Sequence, residues 1–496
     1  MTHEARAASL AELGLTAAGG GEARITGLAL DSRDVRPGHL FAALPGSKSH
    51  GAEFVPAALR AGAGAILTDR EGQRLAAAAL DEAGVPVVLA EDPRQVLAMA
   101  AALWFRRQPE VMVAVTGTNG KTSVATFTRQ IWQQLGLRAV NLGTMGMGGT
   151  VEAPLRHTTP DPVTLHRLLA QAAQAGVSHG AMEASSHGLE QRRLDGVRLS
   201  AAAFTNFSQD HLDYHESFDA YFAAKAGLFA RVLSEDATAV INLDDPRGAE
   251  MAAIAAGRGQ DLLTAGHSAE AALRVLDQRY DATGQDLRLS WNGQVRQVRL
   301  RLIGGFQAEN VLVAAGLVIA GGAEPDRVFA ALPALATVPG RMQLAARRDN
   351  GAAVFVDYAH TPAALETALR ALRPHVMGRL VVVYGAGGDR DRGKRPLMGR
   401  AAAGHADLRI VTDDNPRGEV PAAIRAQILA ADPEAVEIGD RAEAILRGVD
   451  ALEPGDALLI AGKGHETGQI VGDQVFPFDD AEQASVAVAA LDGHPA

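Results

Sequence analysis

The sequence predicts an α/β protein of three domains, each a sheet layered with helices. Three observations carry that prediction: the chain runs to 496 residues, short apolar runs alternate with Ala-rich helical stretches along its length, and glycine- and charge-rich clusters recur at the ends of those runs. Alternating strands and helices are the pattern of parallel sheets joined by crossover helices. At roughly 100–200 residues per domain, the length accommodates about three.

Residues 1–107 form the first predicted domain, small and α/β, with apolar runs at 25–30, 40–44, 65–68 and 85–89. Residues 108–341 form the second, a parallel sheet that opens with a buried strand at 111–115, a glycine loop and a helix. Alternation over 286–302 predicts an antiparallel ribbon, and Val338-Pro339-Gly340 marks a boundary. Residues 342–496 form the third, with strands at 353–357, 380–384, 408–412 and 457–461 and a helix over 361–372. Such doubly wound sheets bind ligands at the carboxyl ends of their strands, where the polar clusters of this chain fall.

Composition excludes several function classes. A net charge of -11 opposes general nucleic-acid binding. Without cysteine there is no disulfide, thiolate catalysis or Cys-based metal site. No apolar run approaches the ~18 residues that span a bilayer, and the first ten residues lack a secretory pattern. The expectation is a cytoplasmic monomer acting on small molecules. Of 47 Lys and Arg, only Lys48, Lys121, Lys225, Lys394 and Lys463 are Lys. A chain that otherwise prefers Arg keeps Lys where a guanidinium cannot substitute.

Thr116-Gly117-Thr118-Asn119-Gly120-Lys121-Thr122 lies between a strand and a helix. A glycine loop at a helix N-terminus turns backbone N–H groups toward phosphate oxygens. Lys121 can then reach the outer phosphates, and the Thr122 hydroxyl can ligate Mg²⁺. Val115 replaces the first glycine of the usual G-x-x-x-x-G-K-[ST] pattern. The alternative is a simple glycine turn before a helix.

Glu183, at a strand end, and His211 offer oxygen and nitrogen ligands for divalent cations. Lys225 follows in Tyr221-Phe222-Ala223-Ala224-Lys225. An ammonium beside Mg²⁺ is repulsive, whereas a carbamate formed from CO₂ makes Lys225 carboxylate-like. The alternative is a surface lysine on a helix.

Together these residues resemble the Mur ligases over nearly the whole chain. The resemblance implies a central P-loop domain binding ATP, a Rossmann-like third domain, and peptidoglycan synthesis in the cytoplasm. It implies ATP contacts at 116–122, Asn310, Arg341 and Asp357, with Lys121, Lys225, Glu183 and His211 catalytic. Thr122, Glu183, His211 and carbamylated Lys225 (N6-carboxylysine) would hold Mg²⁺. Gln307 stands where Asn is more usual. The resemblance is greatest to the branch that extends UDP-N-acetylmuramoyl-L-alanyl-D-glutamate by one amino acid. It implies a uridine site at Leu30 and Ser32, a diphosphate loop including Ser47, and muramoyl-peptide contacts at Thr158, Thr159, Ser185, Gln191 and Arg193. His157 stands where Asn is often found.

The amino acid is read from Asp414-Asn415-Pro416-Arg417. Asn-Pro forces a turn that presents Arg417, whose guanidinium can grip a carboxylate bidentately. The tetrad resembles the family's meso-diaminopimelate motif. It implies Arg390 as a second carboxylate contact and Gly462 and Glu466 as acceptors for an amino group. The alternatives are L-lysine or L-ornithine as the amino acid, a folylpolyglutamate-type ligase, or a ligase that recycles a whole tripeptide. Outside the class, the alternative is a nucleotide-binding regulatory protein or transporter subunit without ligase activity.

Overall fold

The computed structural model describes residues 7–17, 20, 22–46, 49–208 and 214–494. Its three principal sheets follow one another along the chain. The first has four parallel strands, Gly27–Ala29, His39–Ala42, Ala65–Thr68 and Val87–Leu89. The predicted run at 25–30 is divided: Arg24–Ile25 turns away to pair with Ala8–Ser9.

The central sheet has ten strands. Val111–Thr116 lies inside it, flanked by His179–Glu183 on one side and Ala201–Phe204 on the other, all parallel. Side chains alternate along the first of these strands. Val113 and Val115 join one core with Phe127, Trp132 and the Phe306–Ala320 helix. Met112 and Ala114 join the opposite core with Leu165, Phe222 and Phe229. A strand buried on both faces accounts for the uninterrupted apolar run.

The predicted ribbon is larger than expected, with Leu273–Asp281, Gly284–Trp291 and Gln294–Leu300 all antiparallel. Its first strand is hidden in the sequence because a bulge between Val275 and Asp277 breaks the two-residue period. Its second turn, Asn292-Gly293, has positive φ at both residues, the geometry that matches hairpin twist.

The third sheet runs Gln343–Arg347, Ala353–Asp357, Ala457–Ala461, Leu380–Tyr384, Leu408–Val411, Val436–Glu437. All neighbours are parallel except the first pair. Helix Pro362–Leu372 starts where Thr361 accepts a hydrogen bond from the Ala364 N–H.

Contacts between these units are both apolar and polar: Ile303 and Phe306 pack with the core of the third sheet, and Val163 with that of the first. Arg192 pairs with Asp92 at 2.8 Å, beside the packed helices Pro93–Phe105 and Pro162–Gln174. His375, in the third unit, accepts from the Gly304 N–H at 3.1 Å and donates to the Asp281 carbonyl at 2.6 Å. Arg341 reaches back to the Thr122 hydroxyl at 3.3 Å.

Candidate functional site

The carboxyl ends of the central strands meet the third sheet across a cavity of about 570 Å³, within the range of small-molecule sites. The loop after Val111–Thr116 forms one wall. Gly117 has φ 148°, and a Cβ there would come within 1.9 Å of the Thr205 hydroxyl oxygen, so only glycine fits. Val115, the departure from the phosphate-loop pattern, is a fully buried strand residue paired with Glu183. The tight turn therefore begins later, at Gly117. Lys121 Nζ donates to the Gly117 and Thr118 carbonyls, each at 2.8 Å.

Glu183 is 1% exposed. It accepts from the Thr122 hydroxyl at 3.1 Å, the Thr144 N–H at 2.8 Å and the Thr144 hydroxyl at 3.2 Å. Its carboxylate lies against Gly143, where a Cβ would be 1.9 Å from Oε1. Glu183 and Thr122 thus place two oxygen ligands together beside the glycine loop, a set suited to Mg²⁺.

Lys225 ends up in this site although it comes from the distant Phe218–Gly227 helix. It is 1% exposed, donates to the Gly117 carbonyl at 2.7 Å and lies 4.4 Å from the Tyr221 ring centroid. A π-helical turn, Leu228–Val232, follows that helix directly. The alternative of a surface lysine is overturned by this burial. His211 and Ser47 lie outside the described residues.

Asn310 lines the cavity, and its Nδ2 donates to Gln307 Oε1 at 3.1 Å. The atypical Gln307 is fully buried and orients this amide. Arg341 stacks 4.3 Å from the Tyr358 ring. Asp357 accepts from the Met342 N–H at 2.6 Å, and burial raises its carboxyl pKa against the lowering effect of Arg341.

Thr158 and Ser185 also line this cavity, next to Glu183. Thr159 donates to the Glu183 carbonyl at 2.9 Å and accepts from Ser185. Arg193 donates to the Thr159 carbonyl at 2.6 Å and to Gln191 at 2.7 Å. The exposed His157 stands beside Thr158. Leu30 and Ser32 sit apart from the cavity, after strand Gly27–Ala29, where Asp31 caps the short turn Ser32–Asp34 and Arg33 holds the Asp31 carboxyl down to about 2. His50 is engaged structurally, bonded to the Ala52 N–H and to Asp69.

A further polar cluster lies at the ends of the strands of the third sheet. Asn415 and Arg417 both adopt positive φ, 42° and 52°. Lys463 donates to Asn415 Oδ1 at 3.0 Å, and Asn415 Nδ2 donates to Glu466 at 2.8 Å. The Arg417 guanidinium donates to the Gly388 and Asn415 carbonyls at 3.1 and 3.2 Å. Burial, followed by the nearby Arg390 charge, lowers its pKa. Burial raises the Glu466 carboxyl. A Cβ on Gly462 would come within 2.4 Å of the Asp414 carboxylate. Two arginines and two acids therefore face one region.

The sequence did not single out Thr144, Asn242, Glu309 or Tyr358, all of which line the cavity. For Thr144 a signal existed: it follows Gly143 at the carboxyl end of a buried strand.

The Mur ligase middle domain matches residues 115–318, the Mur ligase glutamate ligase domain residues 340–464, and the Mur ligase family catalytic domain residues 24–105. The UDP-N-acetylmuramoyl-L-alanyl-D-glutamate--2,6-diaminopimelate ligase of Brucella melitensis is 50% identical over 478 residues, 96% of each chain. The protein of that name from Bradyrhizobium diazoefficiens is 52% identical, covering 94% of this chain and 95% of its own. A solved structure of a ligase of that name superposes with TM-score 0.72 at 34% identity, covering 99% of this chain and all of its own. On these matches, which together span all three sheets, the chain belongs to the Mur ligase family.

Proposed function

We propose that this chain is an ATP-dependent ligase that joins meso-2,6-diaminopimelate to the D-glutamyl carboxylate of UDP-N-acetylmuramoyl-L-alanyl-D-glutamate. The observation that carries the reading is the clustering of Lys121, Thr122, Glu183 and buried Lys225 around one glycine loop, with Arg341 reaching in from the third sheet. Close identity to ligases of that name supports the substrates. In this reading 1–107 binds the UDP moiety, 108–341 binds ATP, and 342–496 binds the amino acid.

The acceptor carboxylate attacks the γ-phosphorus of ATP, ADP leaves, and an acyl phosphate forms. The amine of diaminopimelate then attacks the acyl carbon, forms the amide and expels phosphate. The protein's part in the first step is positioning and charge neutralisation. Lys121 turns from the loop carbonyls to the outer phosphates. Glu183, Thr122 and Lys225 as a carbamate, together with His211, would hold magnesium, which when bound neutralises charge on the transferring phosphoryl group. Asn310 and Asp357 contact adenosine. Arg341 spans the sheets, so closure of the third domain excludes water from the acyl phosphate.

Leu30, Ser32 and Ser47 take the uridine and diphosphate. Thr158, Thr159, Ser185, Gln191 and Arg193 take the muramoyl peptide. Arg417 and Arg390 bind the distal carboxylate of diaminopimelate, with Asp414, Asn415, Pro416, Gly462 and Glu466 around its amino group. Lysine or ornithine would set a bare ammonium against two guanidinium groups. No helix among the described residues is long and apolar enough to cross a membrane, and we place the protein in the cytoplasm as a monomer.

The test measures ADP release with the UDP-muramoyl dipeptide and MgATP, adding diaminopimelate, lysine or ornithine in turn. Turnover with diaminopimelate alone is expected. Equal turnover with lysine would refute the selectivity, and no turnover with any of the three would refute the reading.

A further inference from the structure

Thr144 contacts Glu183 through both its backbone and its side chain. Its N–H donates to Oε1 at 2.8 Å and its hydroxyl to Oε2 at 3.2 Å. The same hydroxyl oxygen lies 3.0 Å from the Thr158 hydroxyl. Thr144 and Thr158 both line the cavity.

Hydrogen counting gives this chain a direction. An ionised carboxylate only accepts, and a threonine hydroxyl has one proton to give. The Thr144 proton therefore goes to Glu183, and the Thr158 proton goes to Thr144. The Thr158 oxygen is left with lone pairs for the cavity, where it accepts from an N–H or O–H. A donor bound there polarises the chain, because linked hydrogen bonds strengthen one another. On its other side, Oε2 of Glu183 accepts the Thr122 hydroxyl proton. Of the Thr122 lone pairs, one accepts from the Arg341 guanidinium at 3.3 Å and the other is left for a cation.

We propose that Thr144 is a positioning residue that couples the acceptor site to the cation site. Through its hydroxyl, an amide N–H of the bound muramoyl peptide on Thr158 fixes the Glu183 carboxylate where it and Thr122 meet a divalent cation. This rests on the proposed assignment of Glu183 to the cation.

The test is an equilibrium titration of Mn²⁺ by electron paramagnetic resonance, with a non-hydrolysable ATP analogue, with and without the UDP-muramoyl dipeptide. The dipeptide is expected to tighten Mn²⁺ binding to the unsubstituted protein. Thr144→Val keeps the shape and the N–H but removes the hydroxyl. It should weaken Mn²⁺ roughly tenfold to a hundredfold, the usual cost of one hydrogen bond to a charged group, and abolish the dipeptide's effect. Thr144→Ser should retain both. Glu183→Gln tests the cation site separately from Thr144. If it leaves Mn²⁺ binding intact, the cation assignment falls and takes this inference with it. If it weakens Mn²⁺ while Thr144→Val stays within twofold of the unsubstituted protein and keeps the dipeptide's effect, the role of Thr144 alone is overturned. Absence of any dipeptide effect in the unsubstituted protein also overturns the coupling.

Discussion

The amines of Lys121 and Lys225 converge on one acceptor, the carbonyl oxygen of Gly117, at 2.8 and 2.7 Å. Two ammonium groups this close in a site shielded from water repel one another. In the proposed carbamylated state of Lys225, attraction to Lys121 would replace that repulsion.

Gly143 is the surface on which the Glu183 carboxylate rests. Gly143→Ala puts a methyl 1.9 Å from Oε1, and the carboxylate must move. The expected result is a fall in kcat on the order of a hundredfold or more, comparable to losing one preorganised charge-stabilising group. Stability should fall by only about 1–3 kcal/mol, as for other overpacked sites. Steady-state kinetics and a thermal melt check both.

Arg417 is proposed to hold the distal carboxylate of the incoming amino acid. Arg417→Lys keeps the charge but loses the planar fork. KM for diaminopimelate should rise by roughly tenfold to a hundredfold, the range for a hydrogen bond to a charged group. KM for ATP should stay the same. Initial rates against each substrate distinguish this from general damage to the fold.

His166, on helix Pro162–Gln174 with its Nε2 3.4 Å from the Asp195 carbonyl, is 3% exposed, and burial lowers its pKa to about 4. The free side chain titrates near 6.5. Because the folded state resists the proton, the unfolded state binds more of it between those two values. Stability is therefore full above pH 6.5 and is lost as pH falls toward 4, by about 3 kcal/mol in all. His166→Gln should flatten this part of the stability–pH curve in denaturant titrations.

Arg441 and Asp480 form a buried ion pair at 2.7 Å next to the proposed amino-acid site, with side chains 1% and 0% exposed. Asp480→Ala leaves a guanidinium buried without its counter-charge. A loss of about 3–5 kcal/mol is expected from urea unfolding, in line with breaking other buried pairs. Arg441→Met with Asp480→Leu should recover much of it.

The strand–helix alternation and the glycine loop were legible because each rests on local chemistry: period, turn residues and a helix N-terminus. Strands Ala353–Asp357, Leu380–Tyr384 and Ala457–Ala461 fall where the apolar runs place them. The bulge at Val275/Asp277 hid the first strand of the ribbon, since one extra residue inverts the alternation. Lys225 was legible as an anomaly of residue choice, but its burial beside Gly117 depends on a contact across 108 positions. Thr144 was missed for the same reason: a hydroxyl on a strand end means little until the fold brings Glu183, from the adjacent strand, beside it. The orientation of Asn310 by Gln307 likewise needed the helix geometry, because the two share one face three residues apart.

The chemical state of Lys225 decides whether the proposed cation site exists. Carbon NMR of the protein equilibrated with ¹³C-bicarbonate measures it. The predicted result is a carbamate carbonyl resonance that exchanges with bicarbonate and vanishes in Lys225→Met, with ligase turnover lost in that variant and partly restored by added short carboxylates. No carbamate resonance in the unsubstituted protein, with full turnover in Lys225→Met, would contradict it.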